Sequence, residues 1–149
     1  MKKIICLLLY IFTNFIIAQN PLIGTWDLIE LKSDDMNYNF VTDSISLRKK
    51  YENTFKDKND RDEAITYLRL ACALKRQYIF KENEYVEKMG DELLKPTNYK
   101  IDSNSKFLMV DLLDGDLFKV YYEVISNDTI ILDFKEGILP VKHILKRHK

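Results

Sequence analysis

Short segments of alternating apolar and polar residues, separated by turn residues, dominate the second half of this chain. The clearest segment carries Phe118, Val120, Tyr122 and Val124 on one face and Lys119, Tyr121 and Glu123 on the other. Alternation with a period of two is typical of a strand that buries one face and leaves the other in water. The pattern therefore predicts antiparallel sheet for this part of the chain.

Eight segments have the length and composition of strands, and turn residues lie between most of them. They cover residues 24–31, 77–81, 85–89, 99–102, 106–113, 117–125, 129–135 and 139–147. The pair Asp114-Gly115 is typical of a hairpin turn because glycine readily adopts a positive φ. About eight strands linked in this way are enough to close a small barrel. We predict a mainly β fold, a small antiparallel up-and-down barrel with Trp26 plugging one end.

The region after the first predicted strand changes its period. Residues 32–39 are polar and predict a loop, and Leu47, Tyr51 and Phe55 then recur every four residues. A spacing of four places side chains on one side of a helix, which predicts a helix over 43–57.

A second helix is predicted over residues 61–75. Asp60 and Glu63 have the spacing of a capping box, in which two side chains satisfy free backbone N–H groups at a helix start. The two helices would form a hairpin inserted after the first strand, over residues 43–76.

The N-terminus has the pattern of an export signal. Lys2-Lys3 precede an apolar run that ends at Ala18, and the chain becomes polar at Gln19. The run is short for a membrane span and matches a secretory leader. We predict a signal peptide over residues 1–18, an exported single domain over 19–149, and no integral membrane segment after cleavage. The alternative is an uncleaved membrane anchor.

The charge and cysteine content of the chain limit the partners, the membrane attachment and the disulfides that we expect. The chain has 23 basic and 23 acidic residues, and loss of Lys2 and Lys3 with the leader would leave 21 basic ones. A near-neutral chain lacks the positive field that attracts phosphate backbones, so no nucleic-acid partner is expected. Position 19 is not a cysteine, so we expect a periplasmic or secreted protein that is not lipid-anchored. Cys72 would be the remaining cysteine, without an internal disulfide.

The order of these segments resembles a known family. The resemblance rests on Leu22-Ile23-Gly24-Thr25-Trp26-Asp27-Leu28, on Tyr78-Ile79-Phe80-Lys81-Glu82-Asn83, on residues 122–130 and on Leu145-Lys146-Arg147. The chain looks like the bacterial lipocalin-like proteins of the calycin superfamily, which includes lipocalins and fatty-acid-binding proteins. The resemblance implies a barrel that binds a small hydrophobic or amphipathic ligand. It also implies a structural latch in which Arg147 (or Lys146) covers Trp26.

This chain lacks one feature of the family that it resembles. Fatty-acid-binding proteins carry an Arg-x-Tyr clamp for a carboxylate on a late strand, whereas this chain ends in Leu145-Lys146-Arg147-His148-Lys149. A fatty-acid carboxylate site is therefore not carried over.

Tyrosines on the predicted strands suggest where a ligand would bind. An inward tyrosine offers an apolar ring with one polar group, which suits an amphipathic ligand, although such rings also fill the core of small barrels. The predicted ligand-binding residues, facing the interior or covering it, are Tyr122, Phe118, Phe134, Tyr99, Tyr85, Ile65, Leu68 and His143.

The sequence contains no recognisable catalytic motif, so we expect a non-enzymatic protein without a cofactor. His143 and His148 are too few for a zinc site, and the acidic residues around Asp114 fit a hairpin turn better than a calcium loop. An alternative function is a cell-envelope protein-protein interaction or inhibitor module with a solid barrel. Its partner would contact an apolar outer face made of Ile79, Phe107, Met109 and Ile131.

Overall fold

Antiparallel strands make up most of the structure. The computed structural model describes residues 20–111, 116–136 and 140–149. Strands account for 53% of it and helices for 15%. The predicted signal peptide (1–18) and the predicted turn Asp114-Gly115 lie outside the described residues.

The elements follow one another in a simple order. They are β1 (Gly24–Ser33), β2 (Met36–Asn39), β3 (Ser44–Leu47), α1 (Lys49–Glu52), α2 (Lys58–Cys72), β4 (Arg76–Phe80), β5 (Glu84–Met89), β6 (Glu92–Leu93), β7 (Thr97–Asp102), β8 (Phe107–Asp111), β9 (Leu117–Ser126), β10 (Thr129–Phe134) and β11 (Val141–Arg147). Helix α2 is too short and too polar to span a membrane, and so is any other helix of the described part.

Eight of these strands close into an antiparallel barrel, which confirms the predicted fold class. The order around the barrel is β1, β4, β5, β7, β8, β9, β10 and β11, and β11 pairs back onto β1. In the closing ladder Trp26 lies opposite Arg147, and Leu28 lies opposite Leu145. Closure removes the sheet edges that would otherwise expose unpaired backbone groups.

The closed end of the barrel is filled by Leu22, which precedes β1, and by Trp26 on β1. Leu22 and Trp26 are almost fully buried there, and the Trp26 indole Nε1 donates to the Leu22 carbonyl oxygen at 2.6 Å. Leu22 and Trp26 belong to one hydrophobic core, which also contains buried side chains from the barrel strands. Trp26 therefore plugs one end, as the sequence predicts.

The first predicted helix is wrong, and so is the loop before it. Residues 36–39 and 44–47 form a hairpin, β2–β3, and only Lys49–Glu52 is helical. Ile45 and Leu47 are half-buried while Ser44 and Ser46 are exposed, which is the two-residue period of a strand. Four residues are too few for sequence periodicity to separate strand from helix, and pairing with β2 decides the outcome.

The second helix is present but begins earlier than predicted. It covers Lys58–Cys72, and its N-cap is Asp57 rather than Asp60. The Asp57 carboxylate accepts from the Asp60 backbone N–H at 3.0 Å, while the Asp60 carboxylate accepts from the Lys56 N–H at 3.2 Å. No residue of α2 is buried. The insertion after the first strand thus consists of a hairpin, one helical turn and one full helix.

Candidate functional site

Burial of the inward side chains changes along the barrel strands. On β10, Ile130 and Leu132 are 0% and 2% exposed, whereas Phe134 further along is only half-buried. On β11, Leu145 is 0% exposed and His143 is 6% exposed. Solvent therefore reaches the inward face near the ends of β10 and β9 that lie opposite the Trp26 plug. We call this region the barrel mouth and define it by Arg76, Tyr78, Tyr85, Glu87, Phe118, Phe134 and His143.

A hydrogen-bonded histidine–tyrosine pair lies at the inner boundary of the mouth. The Tyr78 hydroxyl and His143 Nδ1 are 2.7 Å apart, and the bond joins β4 to β11. Burial, and then the charge of Arg76, lower the pKa of His143 to about 4. Burial raises the pKa of Tyr78 well above its usual value. Both groups are therefore uncharged at neutral pH, and the tautomer of His143 decides which one donates.

Aromatic rings form the apolar wall beside this pair. The Phe134 ring lies 4.7 Å from the His143 ring, and Phe118 stacks on Phe134 at 6.4 Å between centroids. On the other side Tyr85 lies 6.3 Å from Tyr78. Burial raises the pKa of Tyr85 to about 12, so its hydroxyl remains protonated. The mouth thus combines broad apolar surfaces with a few neutral hydrogen-bonding groups.

Two charged residues complete the mouth. Glu87 on β5 lies directly opposite Tyr78, and Arg76 is two residues before Tyr78 on β4, so both share its inward face. Burial raises the pKa of Glu87, and the positive charge of Arg76 acts in the opposite direction. One positive and one negative side chain therefore lie on the same face of neighbouring strands, with Arg76 opposite Met89 and Glu87 opposite Tyr78.

Two of the predicted ligand residues are not assigned to the mouth. Tyr99 and Tyr122 belong to the core, at 2% and 8% exposure. The Tyr99 hydroxyl donates to the Lys81 carbonyl oxygen at 2.5 Å and accepts from the Asn20 side-chain amide at 2.7 Å. Because the protein occupies both bonding directions, the Tyr99 hydroxyl contributes to the closed end of the barrel rather than to its mouth.

The predicted ligand residues on α2 are not part of the core. Ile65 and Leu68 are half-exposed, and the hydrophobic core of the described residues contains neither of them. The structure brings Phe118, Phe134 and His143 together. Tyr85 reaches this group through Tyr78 and also packs against Phe80 and Tyr99, while the two α2 residues lie outside the core cluster.

Arg76, Tyr78 and Glu87 were not among the predicted site residues. A weak signal was present, because Arg76, Tyr78 and Phe80 alternate along one strand. The predicted strand begins at residue 77, so Arg76 lies outside the predicted alternation. Glu87 gains its significance only from its register with Tyr78.

The predicted latch residues are in contact at the closed end. The Arg147 guanidinium carbon lies 4.3 Å from the centroid of the Trp26 ring, and Nη1 donates to the Ile23 carbonyl oxygen at 3.1 Å. A Cβ at Gly24 would lie 2.6 Å from that same Nη1, and Gly24 has a φ of +132°. The positive φ therefore favours glycine at this position, and a Cβ there would also displace the end of the flexible Arg147 side chain.

The outer face of the barrel carries a second group of aromatic residues. Phe107 and Tyr121 meet edge-on at 6.1 Å. The ammonium of Lys119 lies 5.4 Å from the Phe107 ring, and that of Lys135 lies 4.7 Å from the Tyr121 ring. Next to this group a groove of about 540 Å³ is lined in part by Met109 and Leu117.

Comparison with family models, with curated proteins and with solved structures found no match for this chain. Within residues 20–111, 116–136 and 140–149, no group of three or more His, Cys, Asp or Glu side chains could hold a metal ion. The structure itself is a closed eight-stranded antiparallel β-barrel with one plugged end and an aromatic, partly polar mouth.

Proposed function

We propose that this chain is an exported, lipocalin-like, non-enzymatic protein that binds a small hydrophobic or amphipathic ligand in the barrel mouth. The observation that carries the proposal is the neutral His143–Tyr78 pair set among the rings of Phe118, Phe134 and Tyr85. Small-molecule sites are mostly apolar, with a few placed polar groups that orient the ligand. The mouth has that composition, and the opposite end is filled by the protein itself.

Native mass spectrometry of the protein, purified from its own cell envelope without detergent, tests this proposal. We expect a mass above that of the bare chain, and organic extraction should release the excess mass and identify the ligand. A bare-chain mass, together with no binding of the neutral hydrophobic dye Nile red, would contradict ligand binding.

A pair of matched substitutions locates the site. Phe134→Ala removes an aromatic wall of the mouth, and we expect it to weaken Nile red binding about tenfold, since burial of a large apolar side chain is worth about 1.5 kcal/mol or more. Phe107→Ala makes the same change on the outer face and serves as the control. Equal dye binding by both variants would place the ligand elsewhere.

Export is supported by the leader pattern alone, Lys2-Lys3 followed by an apolar run to Ala18. The intact mass of the protein recovered from the periplasm or medium should correspond to a chain that begins at Gln19. A full-length chain found with the membrane fraction would favour the uncleaved anchor instead.

The second candidate is an interaction or inhibitor module, and the outer aromatic group favours it. Ile79, Phe107, Met109 and Ile131 are half-buried on the outer face, and Phe107 contacts Tyr121 there. A stoichiometric partner captured from envelope extract and lost with Phe107→Ala, but kept with Phe134→Ala, would support this function.

A further inference from the structure

We propose, on the basis of the function inferred above, that the mouth selects amphipathic ligands with an uncharged polar head. An alcohol or amide that both donates and accepts hydrogen bonds would bind more tightly than a carboxylate or an ammonium of the same chain length. The inference rests on the arrangement of four side chains, Tyr78, His143, Arg76 and Glu87.

The hydrogen-bonding groups nearest the apolar wall are neutral. Tyr78 and His143 bond to each other at 2.7 Å, and Phe134 packs against the His143 ring at 4.7 Å. A ligand whose chain contacts Phe134 and Phe118 would place its head beside this pair. A hydroxyl or amide can donate to or accept from either partner, whichever tautomer His143 adopts.

The charges at the mouth already balance each other. Arg76 and Glu87 share the inward face of β4 and β5, and they are the charged members of that face near Tyr78. On the adjoining strand β1, the residue opposite His143 is the uncharged Leu31. The charged neighbours Glu30 and Lys32 lie opposite Ile144 and Lys142 instead. The described inward face around the pair therefore has one positive and one negative charge.

A charged ligand head would disturb this balance. A carboxylate that approached Arg76 would also lie near the Glu87 carboxylate, and an ammonium that approached Glu87 would meet Arg76. Half-buried surroundings screen such repulsion less than water does. A charged head would also lose its hydration, and the mouth offers it no countercharge that lacks an opposite charge nearby. An uncharged head avoids both costs, and this difference produces the selectivity.

Competition against Nile red at neutral pH with three ligands of equal chain length tests the inference. The ligands are dodecan-1-ol, dodecanoate and dodecylammonium. We expect dodecan-1-ol to bind at least about tenfold more tightly than either charged ligand, which corresponds to about 1.4 kcal/mol. Equal affinity for dodecan-1-ol and dodecanoate would overturn the inference and leave ligand binding intact. Failure of all three to displace or bind would remove the proposed function itself.

A single substitution then tests the role of the charge balance. Glu87→Gln keeps the shape of the side chain but leaves Arg76 without a countercharge, so the affinity for dodecanoate relative to dodecan-1-ol should rise about tenfold. Glu84→Gln makes the same change on the outer face of β5, where Glu84 pairs with Lys81, and should leave all affinities unchanged. Circular dichroism confirms that each variant folds. A folded Glu87→Gln variant without any gain for dodecanoate relative to dodecan-1-ol would overturn the inference.

Discussion

At the scale of single residues, His143 connects the chemistry of the mouth with the stability of the fold. Its ring is held by the Tyr78 hydroxyl on one side and packs on Phe134 on the other. Burial and the nearby Arg76 charge both disfavour the imidazolium. The native state therefore resists protonation of this histidine at pH values where the unfolded chain accepts it.

The pH dependence of folding should reveal this histidine. At neutral pH both states hold it uncharged, and as the pH falls from about 6.5 to about 4 only the unfolded state takes up the proton. The free energy of unfolding should thus fall over that range by about 3 kcal/mol, because each unit of pKa difference is worth about 1.4 kcal/mol. Urea unfolding of the wild type and of His143→Gln at a series of pH values checks this.

The difference between the wild type and His143→Gln isolates the contribution of this histidine to the pH dependence of the free energy of unfolding. Glu87, whose raised pKa acts in the opposite direction, is present in both proteins, so its contribution largely drops out of the difference. The difference between wild type and variant should be constant above pH 7 and change between pH 6.5 and 4. Parallel profiles across the whole range would show that burial does not shift this histidine.

At the scale of secondary structure, α2 is the element least supported by the barrel. It has a well-formed N-cap but no buried residue, and Tyr67 and Leu70 are strongly exposed. An ion pair of 3.1 Å between Arg61 and Glu52 connects it to α1. Exposed ion pairs contribute little, and isolated helices of this length are marginal in water. We therefore expect α2 to open without unfolding the barrel.

Removal of the N-cap of α2 distinguishes the local stability of this helix from the stability of the barrel. Asp57→Ala should increase amide hydrogen exchange across residues 58–72, because a lost N-cap costs about 1 kcal/mol. The melting temperature of the barrel should remain close to that of the wild type. Asp62→Ala, in the exposed interior of the helix, is the control. A cooperative loss of barrel stability in Asp57→Ala would mean that α2 belongs to the folding core.

At the scale of the whole molecule, the ladder between β1 and β11 holds the barrel closed. It pairs the start of the described chain with its end, from Trp26 opposite Arg147 to Ser33 opposite Val141. Leu145 lies in this ladder with none of its surface exposed, while its neighbour Ile144 faces outward and is half-buried. The inward side of the ladder therefore carries most of its packing energy.

A pair of neighbouring truncations measures the cost of weakening this closure. Leu145→Ala should lower the free energy of unfolding by about 3 kcal/mol, because it leaves a cavity that the closed barrel fills poorly. Ile144→Ala removes a similar volume from the outer side and should cost about 1 kcal/mol. Urea denaturation of both variants gives the comparison. Equal losses would mean that the interior beside Leu145 collapses to fill the space.

The strand pattern was available from the sequence alone, because alternation along a strand is a local property of its residues. The segments around Phe118, Ile130 and Leu145 have inward and outward faces that the structure reproduces, except that Val124 near the end of β9 is exposed. Only Asn127 and Asp128 separate β9 from β10. Closure into a barrel follows from the number of such strands. The sequence also predicts Trp26 in the plug, whereas the position of Arg147 beside it is implied by the family resemblance and not by any pattern in the chain.

The tertiary structure alone decided the composition of the mouth and the form of the insertion. Tyr78 and His143 are 65 residues apart in the chain, and their hydrogen bond exists only because β4 and β11 both pair with β1. Glu87 and Arg76 share one face through the register of β4 with β5, which no periodicity within either strand encodes. Residues 44–47 became a strand because β2 supplied hydrogen-bonding partners. Local patterns determine which face of a strand is apolar, whereas register and pairing between distant strands determine which side chains meet.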